Sequence, residues 1–156
     1  MLEQLMDLDS GFLMYIQEFM RNDAATRTFR GITTLGNAGA VWIAISLLLL
    51  VPKKTRRIGC MGLLALVLSL LFNNMLLKHL IARSRPYDCI RGLIPLITPP
   101  TDYSFPSGHT AASFAVGVLL FRKLPKRYGI PALVLAALIG FSRLYLGVHY
   151  PSDVLA

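Results

Sequence analysis

Four long apolar runs constrain what this chain can fold into more than any other feature of its sequence. They cover residues 31–51, 58–81, 107–121 and 129–148. A helix that crosses a bilayer needs roughly 20 mainly apolar residues, and only the third run is clearly shorter than that. The composition agrees, since 54% of the 156 residues are hydrophobic and only 15% are charged. The sequence therefore predicts one all-α domain, a transmembrane helical bundle.

Two short basic loops predict how the runs are oriented. One loop holds Lys53, Lys54, Arg56 and Arg57, and the other holds Arg122, Lys123, Lys126 and Arg127. Loops of this kind face the cytoplasm under the positive-inside rule. Residues 82–106 and 149–153 are then expected to share the outer, extracytoplasmic face. The confinement of these charges to loops between apolar runs also argues against a nucleic-acid partner, although Lys and Arg outnumber Asp and Glu by 16 to 8.

An amphipathic segment, residues 1–25, precedes the first run. Its apolar side chains recur at helical spacing, and acidic side chains occupy the other side. We expect such a helix to lie in the membrane interface, and packing on the bundle is the alternative. Asp9, Ser10 and Gly11 are expected to break it into two pieces.

Five basic side chains gather at the outer ends of the runs. They are Lys78, Arg85, His109, Arg143 and His149. Lys78 and Arg85 are seven residues apart, so a helix that continued between them would turn both to one side. Charges in such positions are costly without a partner, and Asp88 and Asp153 are the only acids expected nearby. A negatively charged ligand would balance the excess, and phosphate fits best.

The stretch SFPSGHTAAS, residues 104–113, has the features of an anion site at a helix N-terminus. Ser107 is a favourable N-cap residue, and the free N–H groups of the turn that follows attract anions. Gly108 lets the backbone approach a ligand closely, and His109 can move a proton near neutral pH. An ordinary capped helix start would explain the same residues, so this stretch alone leaves both interpretations open.

The stretch His149-Tyr-Pro-Ser-Asp153 has the features of an oriented imidazole. Pro151 suits the first position of a helix, here residues 151–156, and places Asp153 in its first turn. The carboxylate could then accept a hydrogen bond from one ring nitrogen of His149 and leave the other nitrogen as a nucleophile. A plain helix cap beside a surface histidine is the alternative. His79 lacks such neighbours and is expected to be an interfacial or packing histidine.

Together these residues resemble the three-part signature of the type-2 phosphatidic acid phosphatase superfamily. The first part is Lys78 with six residues to Arg85-Pro86, the second is Pro106-Ser107-Gly108-His109, and the third is Ser142-Arg143 with five residues to His149 and three more to Asp153. The signature lies within residues 78–153, and the upstream pattern of runs is similar to that of small bacterial members.

The resemblance implies a metal-independent, cofactor-free phosphatase that works through a phosphohistidine. It assigns the role of nucleophile to His149, of orienting partner to Asp153 and of proton donor to the leaving oxygen to His109. The resemblance also implies that the phosphoryl oxygens are bound by Lys78, Arg85, Ser107, Gly108 and Arg143. It also implies that the helix begun at Pro151 crosses the bilayer, which makes this last helix look truncated, because the sequence ends at Ala156.

The expected substrate is a lipid phosphate or polyprenyl diphosphate, hydrolysed at the outer face of a bacterial cell membrane. Two alternatives stay open on the sequence. One is a phosphotransferase that passes the phosphoryl group from the same intermediate to an alcohol. The other is a non-catalytic module that binds or transports phospholipids.

Overall fold

The computed structural model describes residues 2–156, with side chains from residue 4, and this part of the chain is helical without a β-strand. The helices are α1 (Leu2–Tyr15), α2 (Asp23–Leu35), α3 (Ala40–Leu50), α4 (Arg56–Ser69), α5 (Lys78–Ile81), α6 (Pro86–Cys89), α7 (Gly108–Lys123), α8 (Lys126–Tyr145) and α9 (Pro151–Leu155). Two π-helical segments, Ile16–Met20 and Leu70–Leu77, follow α1 and α4. The predicted all-α architecture is confirmed.

Length and composition identify the helices that could cross a membrane. The stretch Arg56–Cys89 and helix Lys126–Tyr145 each qualify alone. Asp23–Leu35 and Asn37–Leu50 qualify only as a pair, because the chain bends by 48° at the break between them. Helix α7, which covers the third and shortest of the expected runs, has 16 residues.

The first apolar run differs from the uninterrupted span expected over residues 31–51. Helix α2 begins earlier, at Asp23, where the Asn22 side chain caps it by accepting a hydrogen bond from the Ala25 N–H at 2.9 Å. The helix then breaks because Ala38 and Gly39 adopt left-handed backbone angles, with φ of 50° and 70°. A kink therefore stands where the sequence predicted a straight helix.

Helix α1 is continuous, so the predicted break at Asp9, Ser10 and Gly11 is wrong. The Asp9 side chain does not end the helix because its carboxylate bonds to another part of the chain, accepting from the Ser152 N–H at 3.0 Å. Leu13 and Ile16 are buried in a cluster with the end of α8. The segment therefore packs on the bundle, while apolar side chains on its other face, such as Leu8 and Phe19, stay exposed.

Small side chains bring α7 and α8 close together. A β-carbon added to Gly117 in α7 would lie 3.0 Å from the Ala136 side chain in α8. Buried Trp42 ties α3 to α7, since its indole N–H donates to the Ser113 hydroxyl at 2.9 Å. The packing places the first turn of α7 beside the last turn of α8, and the candidate site lies there.

Candidate active site

A cavity of about 540 Å³ opens between the first turn of α7 and the end of α8. Its polar part is lined by Lys78, Arg85, Asp102, His109, Arg143 and His149. Its apolar part lies between α3 and α4 and is lined by Ile43, Leu63, Leu66, Val67 and Leu70. The cavity is therefore amphipathic, with a cationic end and an apolar groove.

Lys78 and Arg85 meet in the cavity by a different route from the one predicted. The helix does not continue between them, because α5 ends at Ile81 and Ala82 turns left-handed with a φ of 48°. Arg85 then adopts an extended conformation as the N-cap residue of α6. One helix face therefore does not carry both side chains, as it would have done had the helix continued.

Asp102 joins these two cations and was missed from the sequence. One carboxylate oxygen accepts from Arg85 Nη2 at 2.6 Å, and the other accepts from Lys78 Nζ. Burial alone would raise the pKa of Asp102, but the hydrogen bonds and charges of Lys78 and Arg85 outweigh burial and lower it to about 2. Asp88, which was expected to balance the cations, forms no salt bridge in the described part of the chain.

Arg143 contributes the third cation of the cavity. Its side chain is buried, and Nη1 donates to the Thr33 hydroxyl at 2.7 Å, a partner that the sequence did not reveal. Its Nε is also buried and has no hydrogen-bond partner among residues 2–156. A buried donor without a partner is costly, so an acceptor such as a phosphoryl oxygen would be stabilised there.

His149 is held as a neutral ring with a defined tautomer. Arg85 Nη1 lies 2.9 Å from His149 Nε2, and because a guanidinium can only donate, Nε2 must be the acceptor. The ring proton is then on Nδ1, which lies 3.4 Å from an Asp153 carboxylate oxygen. Burial lowers the pKa of His149 to about 4, although Asp153 acts in the opposite direction. The ring is therefore neutral at pH 7, with its lone pair on Nε2.

Asp153 lies in the first turn of α9, where the position of Pro151 placed it. The same oxygen that faces His149 accepts from the Ser104 hydroxyl at 2.5 Å and from the Tyr150 N–H at 2.9 Å. Burial would raise the pKa of Asp153, but the adjacent His149 ring and the hydrogen bonds from the Ser104 hydroxyl and the Tyr150 N–H lower it. The carboxylate is thus ionised and fixed beside the imidazole.

Arg83 and Asp9 support Asp153 from the side away from His149, and neither residue was predicted to belong to the site. Arg83 Nη1 donates to the second oxygen of Asp153 at 2.7 Å, and Nη2 donates to Asp9 at 2.8 Å. The guanidinium also stacks over the Tyr150 ring, 3.8 Å from its centre. Asp9 is 2% exposed. Helix α1 therefore reaches the site and helps to hold the carboxylate that faces His149.

Replacing Arg83 by glutamine is expected to lower kcat about tenfold, because the Asp153 carboxylate would lose a fixed partner and the imidazole its orientation. KM should change little, since Arg83 does not line the cavity. Steady-state kinetics of the folded variant measure both quantities, with exposed Arg27→Gln as the matched control. A rise in KM with unchanged kcat would instead place Arg83 among the substrate ligands.

Three predicted site residues of the PSGH stretch differ in their position relative to the cavity. His109 lines the cavity, and its Nε2 lies 3.0 Å from the Asn37 side-chain oxygen at the kink after α2. Gly108 also lines it, and a β-carbon there would lie 2.6 Å from the Asn74 side-chain oxygen. Ser107 lies behind, 1% exposed, and caps α7 while its hydroxyl accepts from the Thr110 hydroxyl at 2.9 Å. Its contact with phosphate therefore stays a prediction.

The structure thus gathers the predicted residues at one end of the bundle. Lys78, Arg85, Gly108, His109, Arg143 and His149 line one cavity, with Asp153 directly behind His149. His79 is exposed, lies outside this cavity and contacts the Met75 carbonyl at 3.2 Å. Within residues 2–156 no three His, Cys, Asp or Glu side chains lie close enough together to hold a metal ion.

Comparison with known proteins identifies a family and several relatives of this chain. The family model described as the PAP2 superfamily matches residues 59–156, which include all the predicted site residues. An undecaprenyl-diphosphatase of Sulfolobus acidocaldarius is 37% identical over 116 residues, covering 74% of this chain and 56% of the relative. A decaprenylphosphoryl-5-phosphoribose phosphatase of Mycobacterium tuberculosis is 32% identical over 130 residues, covering 81% and 69%. The chain thus spans little more than half the length of the first of these relatives.

Two solved structures share the fold. The LpxE structure from Aquifex aeolicus superimposes with a TM-score of 0.82 at 27% identity and covers 95% of this chain and 86% of that one. The PAP2-type phosphatidylglycerolphosphate phosphatase from Bacillus subtilis gives a TM-score of 0.77 at 30% identity, covering 97% and 78%. The arrangement of helices described above is therefore that of membrane phosphatases of known structure.

Proposed function

The chain belongs to the PAP2 superfamily, as its signature indicated, and from that premise we propose that it removes phosphate from a lipid phosphate or polyprenyl diphosphate. One observation carries the proposal. A single cavity joins an apolar groove to three cations and two imidazoles, Lys78, Arg85, Arg143, His109 and His149. An amphipathic ligand with an anionic head matches both ends of this cavity.

The first chemical step that we propose is transfer of the phosphoryl group to His149. His109 takes up a proton as the anionic phosphoryl group binds beside it, because an adjacent negative charge favours the charged imidazole. The lone pair on Nε2 then attacks phosphorus while the bond from phosphorus to the lipid oxygen breaks, and His109 gives its proton to that oxygen. Lys78, Arg85 and Arg143 hold the phosphoryl oxygens, with the Gly108 N–H and Ser107 at the start of α7. These fixed positive groups stabilise charge as a metal ion does in other phosphoryl-transfer enzymes.

In the second step, water replaces the lipid alcohol or lipid phosphate that has left. Neutral His109 takes a proton from the water as its oxygen attacks phosphorus, and the bond between phosphorus and Nε2 breaks. Inorganic phosphate leaves, and both imidazoles return to their starting states. A module that only binds phospholipid would need the cations but neither imidazole, so the paired histidines favour catalysis.

The apolar groove supports a lipid rather than a soluble substrate. Ile43, Leu66 and Val67 line it on α3 and α4, and both helices carry exposed apolar side chains such as Leu48 and Leu64 toward their surroundings. A lipid tail could lie there while its phosphate enters the cationic end. The relatives named for undecaprenyl and decaprenyl lipids support a polyprenyl substrate.

The basic loops support an active site on the extracytoplasmic face of an integral membrane protein. The loop after α3 and the loop between α7 and α8 lie at the opposite ends of these helices from the cavity. With those loops in the cytoplasm, the cavity opens to the outer side of the membrane.

Phosphate release by the purified protein in detergent tests the proposed function. Undecaprenyl diphosphate, phosphatidic acid and phosphatidylglycerol phosphate serve as substrates, in the presence of EDTA. We expect release from at least one of them, unaffected by the chelator, because the cations of the site belong to the protein. An absence of release from all three, or its loss with EDTA and recovery with added metal, would contradict the proposal.

A further inference from the structure

We propose that Asp102 is a displaceable internal anion, which occupies the phosphate-binding cations of the resting enzyme and competes with inorganic phosphate for them. The inference rests on the proposed function, because it concerns the same phosphate site. Asp102 lies outside the signature residues, and its carboxylate takes the place that the signature cations would offer to a phosphoryl group.

The first observation is the way the carboxylate fills the site. Asp102 contacts both Lys78 and Arg85, whose side chains are only 8% and 4% exposed, while its own side chain is 53% exposed. The cations therefore form the floor of the site, and the carboxylate lies over them on the solvent side. A phosphoryl group that enters the cavity must take these contacts from Asp102.

The second observation is that the carboxylate can leave without disturbing the backbone. Arg85 Nε donates to the Asp102 carbonyl at 2.9 Å, and the Ser104 N–H donates to the Arg83 carbonyl at 2.8 Å. These bonds hold the loop in place through main-chain atoms. A rotation of the half-exposed side chain alone then frees Lys78 Nζ and Arg85 Nη2.

The third observation links Asp102 to the nucleophile. With Asp102 on Nη2, the other edge of Arg85 donates from Nη1 to the Val148 carbonyl at 2.6 Å and to His149 Nε2 at 2.9 Å. The lone pair of the nucleophile is thus occupied in the resting state. A phosphoryl group that replaces Asp102 binds the Arg85 guanidinium in its place and therefore comes to lie beside His149 Nε2.

Charge explains why the exchange is reversible. One carboxylate faces three cations, Lys78, Arg85 and Arg143, whereas a phosphoryl dianion carries twice its charge and balances them better. A lipid substrate gains further affinity from its tail in the apolar groove. Inorganic phosphate has no tail, so the return of Asp102 helps to expel it after each turnover.

Binding of inorganic phosphate to the purified full chain, measured by isothermal titration calorimetry, tests the proposal. Asp102→Asn and Asp102→Ala are each expected to lower the Kd for phosphate about tenfold, the order expected when two half-exposed ion pairs no longer compete. Asp88→Asn is the matched control, because it removes the same charge from an exposed residue of the same face that forms no salt bridge. Its Kd should stay within about twofold of the parent value.

An unchanged or higher Kd in both Asp102 variants would overturn the proposal, since Asp102 would then orient the cations instead of competing for them. Failure of these variants to fold would overturn it too, because a displaceable ion is dispensable for the fold. These outcomes are separate from the proposed function. A parent protein that releases phosphate from lipids, but binds phosphate no more tightly without Asp102, would refute this inference alone.

Discussion

Replacing His149 by alanine is expected to lower kcat by at least about a thousandfold, which is the loss typical of removing a catalytic nucleophile. The reason is chemical, since His149 Nε2 carries the only lone pair of this ring, in a cavity with three cations. The fold should survive, because alanine leaves the other contacts of Asp153 with Ser104, Tyr150 and Arg83 intact. Phosphate release by the folded variant measures the effect.

His79→Ala provides the matched control for this experiment. His79 is also an imidazole, in the short helix that carries Lys78, but it is exposed and lies outside the cavity. Its replacement should leave kcat within about twofold, as expected for a surface substitution away from the site. A His149→Ala variant that retains the parent rate would remove the nucleophile from the proposed mechanism.

Replacing Arg85 by lysine is expected to lower kcat/KM about a hundredfold even though the charge is kept. Arg85 uses both edges of its guanidinium, Nη2 toward Asp102 and Nη1 toward His149. A lysine ammonium is a single point of charge and cannot present two edges to the phosphoryl oxygens while staying beside Nε2. Steady-state kinetics with a lipid phosphate in detergent provide the measurement.

Arg91→Lys is the control for the arginine variant. Arg91 is exposed in the loop after α6 and forms no side-chain hydrogen bond or salt bridge within the described residues. Its replacement should leave kcat/KM almost unchanged. Equal effects of both substitutions would mean that the overall charge of this face, not the fork of Arg85, determines the rate.

The apolar runs made the helices predictable, because a lipid environment demands long apolar stretches and Pro and basic clusters end them. The kink at Ala38 and Gly39 was not predictable in this way. The left-handed angle of Ala38 is unfavourable for a residue with a β-carbon, so tertiary contacts must impose it. Continuity of α1 was missed for a related reason, since the partners of Asp9, Ser152 and Arg83, lie far from it in the sequence.

The pairing of His149 with Asp153 could be predicted from the sequence, because it depends on two residue types at a fixed spacing. His149 and Asp153 are four residues apart, at the start of one short helix, so local geometry brings them together. Asp102 and Arg83 gave no comparable pattern. They meet the site through two segments without regular structure, one before α6 and one after it, whose courses depend on contacts between distant parts of the chain. An unassigned acid in the loop between the second and third apolar runs, near an excess of cations, was the one indication that could have led to Asp102.

Trapping of a phosphorylated His149 tests the central claim most directly. The protein is mixed with substrate that carries ³²P in the phosphoryl group to be transferred. The reaction is then quenched in alkali, which preserves phosphohistidine. We expect label on a fragment that contains His149 in the parent protein and none in His149→Ala. Label on another residue, or rapid hydrolysis by the His149→Ala variant, would contradict a mechanism through this imidazole.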